Sequence, residues 1–112
     1  MGKRILVAVA LLLAIAATGC KGVADEVARG AIEVITASRN VPKPVKKALG
    51  KLAWHEAKDV TRAACQLKDS SDIDQQARRD YWDRGEYKIR LIVSLAKEAQ
   101  TNPNLRASCD KF

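Results

Sequence analysis

Histidine occurs once in this chain, at His55, aromatic residues make up 4% of it, and proline is confined to three positions. Each scarcity excludes something. With a single histidine, His55-Glu56-Ala57-Lys58-Asp59 is half of the metalloprotease helix pattern, which needs a second imidazole four residues on to hold zinc. His55 is therefore read as a surface side chain pairing with Asp59. No serine or cysteine stands beside a visible base, and no glycine-rich loop offers a phosphate cradle. Alternating apolar and polar runs are missing, so strands are not expected. These absences point away from an enzyme and indicate neither a cofactor nor a metal site.

What is present begins at the N-terminus. Lys3 and Arg4 precede ILVAVALLLAIAA, thirteen residues from Ile5 to Ala17 without a polar side chain. As a helix this run reaches roughly 20 Å, short of the ~30 Å hydrocarbon thickness that a spanning helix must cover. A positive start, a short apolar run and small residues before a processing point are the layout of a secretory signal peptide, here residues 1–19. Ala17-Thr18-Gly19-Cys20 resembles the lipobox of bacterial lipoproteins, with Ala17 where leucine is commonest.

That resemblance implies that the Cys20 thiol takes a diacylglyceryl group, that a dedicated peptidase cuts before it, and that the freed amine is then acylated. Two or more acyl chains anchor a protein stably, so the implied partner of Cys20 is a membrane. Lys21 follows where enteric lipoproteins retained at the inner membrane carry aspartate. This implies the periplasmic face of an outer membrane in a cell that has one. A plain secreted protein cut after Gly19 and an uncleaved anchor are the alternatives.

Export changes how the other cysteines read. With Cys20 used for lipid, Cys65 and Cys109 remain as an even pair in an oxidising compartment, where a disulfide is the expected state. Without Lys3 and Arg4 the 20 basic residues become 18, against 13 acidic ones. So modest a positive balance, on an exported chain, gives no reason to expect nucleic acid as a partner.

Residues 20–43 read as a lipid-attachment region with a short helix and a proline-containing linker, and residues 44–112 as a small all-α domain. Val23, Val27, Ala31, Val34 and Ile35 share one side of the first helix, and Pro42 and Pro44 end it. From Pro44, the residues Val45, Leu49, Leu52, Glu56, Val60, Ala63 and Leu67 recur at helical spacing, with Glu56 the one interruption. Ser71-Asp72-Ile73-Asp74 looks like a capping box opening a third segment. Its stripe is Ile73, Ala77, Tyr81, Gly85, Ile89, Ile92, Ala96 and Ala99. Thr101-Asn102-Pro103-Asn104 then ends it and leaves a short tail to Phe112. The result is a bundle of three to four segments.

The disulfide decides between three and four. Were residues 72–100 one helix antiparallel to its predecessor, Cys65 would lie beside Gln75, with Gln100 roughly 38 Å further along. Nine residues of stretched tail span only about 30 Å. The bond therefore requires a break in the third segment, and Gly85 is the cheapest place for it.

Two surfaces stand out as binding candidates. Arg39, Lys43, Lys46, Lys47 and Lys51 fall in a stretch without an acid, which suits contact with a membrane or another polyanion or, more plainly, a solvated helix face. Trp82 cannot share a core with its neighbour Tyr81, because side chains one residue apart on a helix diverge by about 100°. Trp82, within one turn of Arg78, and Trp54 are the candidate contacts for a protein partner. Two functions are compatible with these residues: a lipid-anchored, non-catalytic module that binds or modulates an envelope protein, and a membrane-active or lysis-type lipoprotein acting through the basic helix at residues 44–54.

Overall fold

The polar breaks and apolar stripes resolve into six helices and no strand among the residues described, 25–112, in a computed structural model of the chain. The expected signal peptide, residues 1–19, and Cys20 lie outside those residues. Helix α1 occupies residues 25–37, and α2 follows at Lys43–Lys51, α3 at Trp54–Leu67 and α4 at Ile73–Asp80. A 3-10 turn at Trp82–Arg84 precedes α5 at Glu86–Thr101, and α6 spans Pro103–Cys109. No described helix is long and apolar enough to cross a membrane.

Helix α5 is the centre of the bundle. Ile92, Leu95, Ala96 and Ala99 on it are essentially without solvent contact, and they pack with Val60, Ala63 and Leu67 of α3, Ile73 and Ala77 of α4, Leu49 of α2 and Leu105 of α6. Ala31 and Ile35 of α1 belong to the same core, which therefore reaches across the boundary placed at residue 43. The end of α1 is tied down by a polar contact. Ser38 Oγ donates to Glu98 Oε1 at 2.8 Å, and Asn102 Nδ2 donates to the same oxygen at 3.0 Å. Two donors compensate a carboxylate that is itself buried.

The third segment breaks where the reach argument requires. Gly85 has φ 88°, a conformation that costs an L side chain dearly, and it separates the 3-10 turn from α5. Ion pairs and hydrogen bonds give the resulting directions. Tyr81 meets Gln66 and Arg84 meets Asp59, so α4 and the turn run back along α3. After Gly85 the direction reverses, because Lys88 pairs with Glu56 while Gln100 reaches the Ser70 carbonyl, which makes α5 parallel to α3. The C-terminal ends of α5 and α3 thus lie together, and α6 can close the disulfide. Cys65 and Cys109 are bonded with a Cα–Cα distance of 5.1 Å, and both are buried.

Three local expectations give way to different structure. The long apolar run from Pro44 is two helices, with Leu52 and Ala53 extended between α2 and α3 (ψ 147° and 154°). Glu56, the interruption in the stripe, is the acid in the first turn of α3. There it complements the helix dipole and pairs with Lys88. Lys88 chiefly, and the Ala53 N–H in smaller part, hold its carboxyl below the usual carboxylate range. The cap of α4 is Asp72, not Ser71: its Oδ1 accepts from the Gln75 N–H at 3.2 Å. The tail to Phe112 is mostly helix α6. Asn102 caps it by accepting from the N–H groups of Asn104 and Leu105, with Pro103 in its first turn, where the missing N–H costs nothing.

Candidate functional site

Helix α2 presents one apolar and one basic side. Leu49 is buried, while Val45, Ala48 and Leu52 are half-buried against the core. At 3.6 residues per turn, Lys43, Lys46, Lys47 and Lys51 fall within an arc of about 140° on the other side. Lys43, Lys47 and Lys51 are exposed and Lys46 is half-buried. The preceding linker lies against α5, where Asn40, Val41 and Pro42 with Ser94, Lys97 and Thr101 line a shallow cleft floored by Glu98. The four lysines are thus brought onto one face, as their spacing implies.

The aromatic candidates separate. Trp82, in the 3-10 turn, is 74% exposed, and Tyr87, at the start of α5 beyond Gly85, is 57% exposed. Trp54 opens α3 and is partly covered by α1, whose Arg29 guanidinium sits 5.3 Å from the ring centroid. Trp54 is thus 39% exposed with Arg29 over its ring, whereas Trp82 is open. Arg78, one turn before Trp82, does not stack on its ring. Arg78 instead donates to Asp74 at 2.8 Å and makes a two-pronged pair with Glu86 at 2.7 and 3.0 Å, bridging α4 to α5 across Gly85. Arg84 stacks on Tyr81, also at 5.3 Å. Asp59 accepts from Arg84 at 3.1 and 3.2 Å, not from His55, which is exposed one turn away.

The Arg78–Glu86–Arg90 cluster pins the corner that carries Trp82. Hydrogen bonds from Arg78, and then from Arg90, lower the Glu86 carboxyl from 4.5 to about 2. A carboxylate lowered in the folded state lends stability above its ordinary range and loses it as pH falls through the lowered value. Between about pH 5 and pH 2, the melting temperature of the wild-type protein is expected to fall more steeply than that of Glu86→Gln. Parallel curves would show that the cluster contributes nothing to folding.

One feature escaped the sequence reading altogether. A groove of about 550 Å³ runs between the start of α1 and the end of α6, lined by Glu26, Val27, Gly30, Ser108 and Lys111. Its walls are more than 75 residues apart in the chain, so only the folded arrangement creates it. No protein family, curated protein or solved structure matches this chain.

Proposed function

We propose that this protein is a lipid-anchored module of the bacterial cell envelope, held by acylated Cys20 at a membrane facing the periplasm and acting by binding rather than catalysis. The observation that carries this reading is the use of its cysteines. Cys65 and Cys109 are bonded to each other, which suits an oxidising compartment and leaves Cys20, behind the apolar leader, as the thiol available for lipid. Four acids of the domain fit the non-catalytic part: Asp59, Asp69, Asp74 and Glu86 are each engaged by arginine as structural ties. Trp82 is the contact proposed for an envelope protein, since a large, rigid and openly presented ring is the commonest anchor of such interfaces.

The membrane-active alternative needs the apolar side of the basic helix to enter a bilayer. That side, centred on Leu49, is taken up by the core, and freeing it would open the domain. This weighs against lysis by insertion.

The anchor is tested at Cys20. Cys20→Ser should abolish incorporation of labelled palmitate and leave unprocessed precursor, while the wild-type chain labels and fractionates with membranes. Rapid processing of the variant to a soluble product would replace the lipoprotein reading with that of a secreted protein.

A further inference from the structure

We infer that the lysine face of α2 is a non-inserting electrostatic seat for the anionic phosphate headgroups of the bilayer that carries the anchor, so that it sets how the domain lies on that surface. The inference rests on the Cys20 reading for the identity of the bilayer, and on α2 itself for the contact.

Among the described residues, the α2 lysines selectively lack ion-pair partners. The ion pairs of the domain involve α1, α3 with the turn after it, α4, the 3-10 turn, α5 and the α6 region. Among the described residues none of them includes Arg39, Lys43, Lys46, Lys47 or Lys51. Residues 1–24 contain no aspartate or glutamate, so that part of the chain has no carboxylate side chain to offer them either. Five cations over residues 39–51, with no acid among them in sequence and no ion-pair partner among the described residues, therefore project a net positive field, Lys46 from a half-buried position.

Shape and chemistry fit the same partner. The lysines crown the outward side of a helix, a convex surface that fits a broad partner better than a protruding group. All four are lysines, compact and strongly hydrated point charges without the planar fork that reads one carboxylate bidentately. Helix α2 also lacks an exposed aromatic residue, the usual anchor of a protein interface. A diffuse array of phosphates asks for no more than this. Because Leu49 is committed to the core, the contact stays at headgroup depth.

Tethering favours the contact. Acyl chains on Cys20, nineteen residues ahead of Arg39, would keep the domain within a few nanometres of the headgroups, and a surface contact then forms at high effective concentration. Each lysine near an anionic surface contributes about fivefold to such an equilibrium, so four together suffice to hold one orientation.

The test reads the lysines themselves. Purified full-length processed protein is placed on phosphatidylglycerol-containing vesicles and on pure phosphatidylcholine vesicles, and amine acetylation is followed residue by residue by mass spectrometry. Lys43, Lys47 and Lys51 are expected to label at least fivefold more slowly on the anionic vesicles, while the exposed Lys111, beyond the end of α6, labels equally on both. The protection should vanish in concentrated salt, where screening lengths fall to a few ångströms. Lys43→Glu/Lys47→Glu/Lys51→Glu changes only exposed side chains and should keep its helicity. Lys46 should then lose whatever protection it has in the wild-type protein. Equal labelling of the α2 lysines on the two vesicle types overturns the inference, as does equal protection of Lys111. Protection that appears on phosphatidylcholine only when envelope proteins are added overturns it in favour of a protein partner. The intact mass at Cys20, measured on the same sample, reports separately whether the anchor reading holds.

Discussion

Replacing Cys65 and Cys109 together by serine is expected to lower the stability of the domain by roughly 4 kcal/mol, the chain-entropy value for a loop of this length. The bond closes 44 residues of sequence separation and joins the end of α3 to the end of α6. In a domain this small, that is a large share of the total, and a fall in Tm of roughly 15–30 °C should accompany it. The double variant is the informative one, because a single substitution leaves a thiol free to form dimers. Helix α6 should feel the loss first. Beyond the disulfide it is held by Leu105, by the Asn102 cap and by the pairs Arg106–Asp69 and Lys68–Asp110 at the domain's edge. Hydrogen exchange should therefore report α6 opening before α5. A loss of stability below about 1 kcal/mol would mean that the unfolded chain gains little freedom from the missing bond.

Ile89→Asp is expected to unfold the domain outright. Ile89 is 4% exposed on α5, and a carboxylate there would have to be buried without a partner or else force α5 away from the core. Either outcome costs more than 4 kcal/mol, beyond the range of ordinary substitutions. Leu52 lies on the expected core stripe of the preceding segment, but it ends α2 in an extended conformation and is only half-buried. Leu52→Asp should keep its helical circular dichroism and lose about 1–2 kcal/mol, a part of the value of one leucine side chain. Denaturant titration of the two variants separates the cases. Equal tolerance of both would displace α5 from the centre of the fold.

The contrast between Ile89 and Leu52 shows how far the apolar pattern could be read. Periodicity identified both as core, because a stripe records which residues share a helical face and says nothing about where that helix stops. The stop at Leu52–Ala53 follows no proline and no capping side chain, since Ala53 caps α3 with its backbone alone. One signal was nonetheless present. Glu56 interrupts the stripe because it sits in the first turn of a new helix, where an acid is favoured. Asn102-Pro103 was likewise legible in two ways: it ends α5, and the same pair of residues opens α6.

The charge partners were the least legible part. Neighbour rules place His55 by Asp59 and Arg78 by Trp82, and such local pairs are worth only a few tenths of a kcal/mol. Docking of α4 and α5 onto α3 offers Arg84 to Asp59 and Glu86 to Arg78 with better geometry, and the local pairs are not made. The sequence alone determined the helical class, the proline break before α2, the lysine face and the core stripe of α5. Through the reach of nine residues, it also determined that a bond between Cys65 and Cys109 requires a break in the third segment, for which Gly85 is the cheapest place. Those features follow from local periodicity, backbone limits and chain length. Only the tertiary structure decided that α5 runs parallel to α3, that α1 joins the common core, that Trp54 is half covered while Trp82 is open, and which charges pair. Each of these depends on surfaces distant in sequence meeting, and that is settled by the packing of all the helices at once.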